Sequence, residues 1–193
     1  MDKAKEKIIR TTVELMIETG DLRRMTIRDV AEYAGVAVGA INYHFQTKEN
    51  LVNVAVRHFI DSVLAQWTEE SGLAEDDTPR ERFRKLVSAS AGFLAEYPRV
   101  SRISILYDAE KPGERDNTSR AVDQLVPFAT ACLSEDRADL GPLVSRMCIA
   151  SIQHFFLRSY ERDVHPNFFD DADRSRFVVG MVEALFGTEH GDA

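Results

Sequence analysis

The segment AGVAVGAINYHF, Ala34 to Phe45, decides how this chain is read. It opens with a glycine, Gly35, passes through small apolar residues and ends on Asn42-Tyr43-His44-Phe45. Just upstream, Thr26 stands three positions before Asp29, the spacing of a capping-box pattern at a helix N-terminus. Ile27, Val30, Ala31 and Ala34 give the helix that follows one apolar side. A second short helix is expected over 38–44, and Gly35-Val36-Ala37 joins the two. Short helices joined by a tight glycine turn have the form of a helix-turn-helix.

That form suits a duplex. The major groove is about 12 Å wide and admits one helix, provided nothing beside it is bulky. Val36 and Ile41 are expected to point inward and fix the crossing angle. Val38, Gly39, Asn42 and Tyr43 then face outward together, with Gly39 and Ala40 letting the backbone approach. Asn42 can pair with adenine in two hydrogen bonds, and Val38 or Ala40 can touch a thymine methyl. Tyr43, His44 and Lys48 suit phosphate oxygens. Thr47 opens a fourth helix whose N-terminus is a further phosphate site. Thr26 and Arg28 face phosphate from the other side of the turn. Taken singly, each residue reads as a solvated charge or a core aromatic, and Phe45 is best read as core. The pattern over 26–51 is what points to DNA.

Working outward, helical periodicity runs through almost the whole chain of 193 residues. A first helix over 3–19 carries Ile8, Ile9, Thr12, Leu15, Met16 and Thr19 on one side, with Gly20 as its C-cap. The fourth helix extends from Thr47 to about Glu70. Further helices are expected near 79–96, 98–109, 118–135, 141–162 and 171–187, punctuated by Pro98, Pro112-Gly113, Gly141-Pro142 and Pro166. The class is all-α with about nine helices. The expected domains are 3–63, holding the helix-turn-helix at 26–45, and 64–193.

Formal net charge is −8, which argues against a chain that coats nucleic acid along its length. Residues 1–57 hold nine basic and eight acidic residues, a net +1, leaving −9 for the rest. A near-neutral head on an acidic body is compatible with a local nucleic-acid site. The N-terminus lacks an uninterrupted apolar stretch of the secretory kind, and no run of about 18 uninterrupted apolar residues suggests a membrane span. A cytoplasmic protein with no membrane partner is expected. Two cysteines, Cys132 and Cys148, make no disulfide framework. A P-loop, G-x-S-x-G and H-E-x-x-H are all absent from the sequence, and no histidine has Glu three residues before it. No metal, cofactor or catalytic residue is expected.

TIRDVAEYAGVAVGAINYHFQTKENLVNVAV (26–56), preceded by KIIRTTVELMIETG (7–20), resembles the DNA-binding region of the tetracycline-repressor family of bacterial regulators. The marks are Gly20, Asp29-Val30-Ala31, Ala34-Gly35-Val36, Gly39, His44-Phe45 and Lys48-Glu49-x-Leu51. The resemblance implies an all-α homodimer with an N-terminal three-helix DNA-binding domain and a larger ligand and dimerisation domain. It implies a repressor released from a palindromic operator by a small molecule. Two departures stand out. Ala37 occupies a position where the family often has Ser or Thr. Asn42 stands where Tyr is frequent, with the aromatic one place later at Tyr43.

Residues 79–187 carry no motif of their own. In VSASAGFL (87–94) five small residues leave space beside the helix axis, either for close packing or for a ligand. Ser90, Phe93, Tyr97, Tyr107, Phe128, Cys132, Gln153 and His154 are the pocket candidates. Leu143, Met147, Ala150, His154 and Leu157 form one stripe of the eighth helix. Phe177, Gly180, Met181, Ala184 and Leu185 form another in the last. Two helices from each subunit would bury these stripes as a bundle. The competing readings are a redox regulator acting through Cys132 and Cys148, and a helical ligand-binding protein or enzyme that keeps a vestigial DNA-binding head.

Overall fold

A computed structural model describes residues 2–19, 25–70, 74, 76–110, 116–160 and 166–187, with the backbone alone for 63–70. Among these residues the structure is entirely helical: α1 (Lys3–Thr19), α2 (Ile27–Ala34), α3 (Val38–Phe45), α4 (Lys48–Glu70), α5 (Pro79–Glu96), α6 (Pro98–Glu110), α7 (Asn117–Ala131), a short 3-10 helix (Glu135–Leu140), α8 (Gly141–Arg158) and α9 (Asp171–Phe186). The expected cap at Gly20 and the break at Pro112-Gly113 lie outside the described residues.

The chain forms two compact units. One holds Met1–Glu70 and Tyr97–Tyr107, the other Ser71–Glu96 and Asp108–Ala193. The sequence places a single cut at 63/64. The structure carries the first unit to Glu70 and returns most of α6 to it, because Val100 and Ile103 are buried in the N-terminal core. Periodicity marks α6 as a helix without saying which core its apolar face joins.

In the first unit Ile8, Ile9 and Met16 of α1 meet Val30 and Ala34 of α2, Ile41 and Phe45 of α3, and Leu51, Val52 and Ala55 of α4. Each fully buried Ile, Leu or Phe contributes about 1.5–3 kcal/mol of apolar burial. Arg99 of α6 closes the far end of α1. Its Nη1 donates to the Ile17 and Glu18 carbonyls at 2.7 and 2.6 Å, placing a cation on the negative end of the helix dipole. Phe59 meets Tyr97 edge to face, with ring centroids 5.0 Å apart.

The second unit is built on α5, α7, α8 and α9. Phe83, Val87 and Ala91 of α5 are buried with Val122, Leu125 and Ala129 of α7, Cys148, Ile152 and Phe156 of α8, and Val178 and Val182 of α9. Phe168 is wholly buried, edge to face with Phe155 and Phe156 at 5.3 and 5.4 Å. At Gly141 a Cβ would lie 2.0 Å from Thr130 Oγ1 and 3.1 Å from its Cβ, so only glycine lets α8 start against α7. α7 ends at Ala131, earlier than the expected 135, and the 3-10 helix fills the gap before Gly141. Within VSASAGFL, Ala91 is buried, Ser88 is exposed and Ser90 donates to the Leu86 carbonyl at 2.9 Å, which favours close packing over an open space.

The stretch Glu135–Arg158 has the length and apolarity of a membrane span by composition, a property the run of separate apolar residues conceals. Its buried side belongs to the core just described. Its remaining apolar residues, Leu143 and Met147 among them, form an exposed stripe.

Candidate nucleic-acid interface

The helix-turn-helix is assembled from local signals. Thr26 caps α2 and the capping box is complete: Thr26 N–H donates to Asp29 Oδ2 at 2.7 Å, and Asp29 N–H donates to Thr26 Oγ1 at 3.2 Å. These bonds hold the Asp29 carboxyl below its ordinary range: the backbone N–H of Thr26 first, then the Thr26 hydroxyl, with the nearby Lys48 ammonium adding to them. The N-termini of α2 and α4 therefore face a common region. Gly35 ends α2 at φ 59°, ψ 40°, the left-handed conformation that an L side chain resists. Its N–H donates to the Glu32 carbonyl at 3.0 Å, and Val36 N–H to that of Ala31 at 3.0 Å.

α3 begins at Ala37, which offers no side-chain cap. Ile41 and Phe45 are buried to 1% and anchor its inner side, with half-buried Val36 packed against the same core. Val38, Gly39, Asn42 and Tyr43 are all exposed, Tyr43 at 83%. No atom outside its own helix lies within 4 Å of a Cβ built on Gly39, so its face is open for close approach. The end of α3 is tied to α4 by Asn50 Nδ2, which donates to the Phe45 carbonyl at 2.9 Å. Thr47 Oγ1 accepts from Asn50 N–H at 3.1 Å and caps α4.

Of the residues expected to meet DNA, Thr26, Arg28, Ala37, Val38, Gly39, Asn42, Tyr43 and Thr47 are exposed, and Ala40 and Lys48 are half-buried. His44, also expected to meet phosphate, has a partner within the chain. Its side chain is 14% exposed and Nε2 lies 3.3 Å from Asp2 Oδ2. It packs edge to face with Tyr43 and Phe45. His44 therefore braces α3 against the start of α1.

The pocket candidates are divided between the two units. Tyr97 and Tyr107 belong to the N-terminal unit. His154 is exposed on the outer side of α8. Phe93 is buried, and Phe128 near the end of α7 and its C-cap Cys132 are half-buried. Gln153 is joined to residues that the sequence reading passed over. Its Nε2 donates to Thr118 Oγ1 at 3.0 Å, and Thr118 in turn donates from both N and Oγ1 to Asp108 Oδ2 at 2.9 Å. Burial pushes the Asp108 carboxyl up, opposed by the Thr118 N–H and hydroxyl. The available signal was Ser101, Ser104 and Asp108 recurring at three- and four-residue steps, a polar stripe in α6 that is buried throughout.

Burial pushes the Cys148 thiol up to about 12 and the Cys132 thiol up to about 11, the latter against the pull of Arg80. Both shifts run away from the thiolate form, which gives a thiol sensor no support. Among the described residues no three His, Cys, Asp or Glu converge to hold a metal.

Residues 8–55 match the family model for bacterial regulatory proteins of the tetR family. The chain is 27% identical over 107 residues to the HTH-type transcriptional repressor KstR2 of Mycolicibacterium smegmatis, covering 55% of this chain and 50% of that protein. It spans from a third to a half of the length of the curated KstR2 relatives it matches. Among solved structures, BioQ of Mycobacterium smegmatis superposes with a TM-score of 0.68 at 20% identity, over 97% of this chain and 98% of that one. FadR from Bacillus subtilis, in complex with stearoyl-CoA, gives 0.64 at 17% identity over 95% and 99%. The helix-turn-helix unit defines a DNA-binding regulator fold. Residues 8–55 carry the DNA-binding region of the tetR family of bacterial regulatory proteins, and the solved structures share the fold of the whole chain.

Proposed function

We propose that this chain is a cytoplasmic transcriptional repressor that binds palindromic operator DNA as a homodimer and leaves it when a small molecule binds. The observation that carries the reading is the outward set on α3. Val38, Gly39, Asn42 and Tyr43 stand in solvent on a helix whose other side, Ile41 and Phe45, is locked in a core. A lone domain gains nothing by exposing an aromatic ring to 83% on the outer side of α3. A groove reader does.

Pairing is supported by α8 and α9. Leu143 and Met147 are exposed at 53% and 49%, in line with exposed Ala150 and His154 and half-buried Leu157. On α9, Gly180 and Ala184 are exposed one turn apart, flanked by half-buried Phe177, Met181 and Leu185. A second copy would cover both stripes. Two recognition helices about 34 Å apart then meet successive turns of one duplex face.

The effector site is proposed within the C-terminal unit, near Ser90, Phe93, Phe128, Cys132 and Gln153. An effector shifts the balance only if it binds the non-operator state more tightly. The stearoyl-CoA bound to FadR makes long-chain acyl thioesters the first class to test. In a gel shift on DNA flanking the chain's own gene, retention is expected to fall steeply with salt. Tyr43→Ala with Lys48→Ala should abolish it in a protein that still folds. Retention that ignores both salt and this variant counts against the reading.

A further inference from the structure

The start of α1 is built into the ends of the recognition helix. Asp2 caps α1, its Oδ1 accepting from Ala4 N–H at 3.0 Å. Its second oxygen, Oδ2, lies 3.3 Å from His44 Nε2, so the cap is fastened to the last turn of α3. Lys5 then places its Nζ 6.0 Å from the centroid of the Phe45 ring, at the same end. Lys7 sits at the other end. Its Nζ lies 3.6 Å from where a Cβ on Gly35 would stand, beside the turn that leads into α3. One ammonium thus lies near Phe45, the last residue of α3, and the other near Gly35, two residues before the α3 N-cap. Among the described residues no carboxylate pairs with Lys5 or Lys7. Of the acids in this region, Asp29 is engaged in the α2 capping box, and Asp2 is engaged at both oxygens.

We propose that Lys5 and Lys7 are phosphate ligands that grip the DNA backbone at the two ends of α3. This rests on the DNA reading above and adds to it two contacts outside the helix-turn-helix. The physics is that of counterion release. A cation held beside a helix that enters the groove meets the phosphates on either wall, and each phosphate neutralised displaces condensed counterions. Such contacts hold register and orientation and carry no base information. Solvated lysines of no function would sit in the same sequence, but they would leave the salt dependence of binding unchanged.

The test uses the full chain and a fluorescent duplex selected by it from a random pool, with an unrelated duplex beside it. Lys7→Gln should reduce the slope of log Kd against log salt by about 0.9 per subunit, and Lys5→Gln with Lys7→Gln by about 1.8. Both variants should weaken the selected and the unrelated duplex by the same factor, leaving their ratio unchanged. Lys7→Arg should restore the slope. Lys5 is half-buried, so circular dichroism and thermal unfolding accompany the double variant, while Lys7, exposed, gives the single-site answer without that concern. Slopes equal to wild type in folded variants overturn the proposal and leave the regulator reading intact. A wild-type chain that selects no duplex overturns the regulator reading itself, and this proposal with it. A changed selected sequence in Lys7→Gln also overturns it, because that is the mark of a base reader.

Discussion

α3 and α8 both hold large side chains out of their cores, and the chemistry of the two faces differs. On α3, Tyr43 and Val38 are exposed beside Asn42 and Gly39, a mixture of ring, methyl groups, amide and bare backbone. On α8, Leu143 and Met147 are exposed beside Ala150, a stripe of hydrocarbon and thioether with the His154 imidazole at its far end. Each helix is fixed by its other side, α3 by Ile41 and Phe45, α8 by Val144, Cys148, Ile152 and Phe156. Exposure alone therefore does not name a partner. The polar content does. A face carrying donors and acceptors fits the edges of base pairs. A bare apolar stripe gains only by meeting another.

The sharpest way to break the contrast is at α8. Leu143→Glu with Met147→Glu should weaken self-association by more than about 100-fold, the scale of central interface residues, read by sedimentation equilibrium. The protomer's helical content should be unchanged, since both side chains already stand in solvent. An unchanged mass would assign the stripe to another partner. On α3 the matching experiment is Asn42→Ala, expected to cost about 1–3 kcal/mol of discrimination at one base position. Tyr43→Ala should leave unfolding within about 0.5 kcal/mol of wild type while DNA affinity falls.

Beneath α8, Gly141→Ala forces a methyl against Thr130. A loss of about 1–3 kcal/mol in denaturant unfolding is expected from such overpacking, and no change would mean that α7 and α8 separate freely. On α3, Ala37→Ser supplies the cap that the helix lacks and should stabilise the N-terminal unit by about 1 kcal/mol. It should also tighten DNA binding, since the new hydroxyl stands at the exposed start of α3.

The smallest effect is one of pH. Asp29 has a folded pKa held below its ordinary value near 3.8, first by Thr26 N–H and then by the Thr26 hydroxyl and Lys48. A depressed carboxyl contributes stability that is complete above the unfolded pKa and disappears as pH falls through the folded one. The stability difference between wild type and Asp29→Asn should therefore be constant near neutrality and shrink below about pH 4. A constant gap down to the lowest pH tested would remove the capping box from the account of α2.

Much of this was legible because the N-terminal signals are local. Thr26 and Asp29 specify a cap within four residues, Gly35 a left-handed turn, and Ile41 with Phe45 the inner side of α3. The unread parts depend on long-range contact. Whether α6 joins the first core or the second is decided by what Val100 and Ile103 touch. That Asp2 stands beside His44 leaves no local mark, because the two lie more than forty positions apart. The Asp108–Thr118–Gln153 network joins three helices and leaves no mark at any one of them beyond a polar residue in an apolar stripe. Between Cys132 and Gly141, a 3-10 helix lies too short for periodicity to show.

The central claim is that a symmetric pair of chains presents α3 to a duplex. Selection of bound fragments from a random duplex pool tests it most directly. The account predicts an enriched inverted repeat with half-sites centred about 10 base pairs apart, or a multiple of that, and loss of the enrichment in Tyr43→Ala. No enrichment, or an unrepeated site that Tyr43→Ala binds as well as wild type, would contradict it.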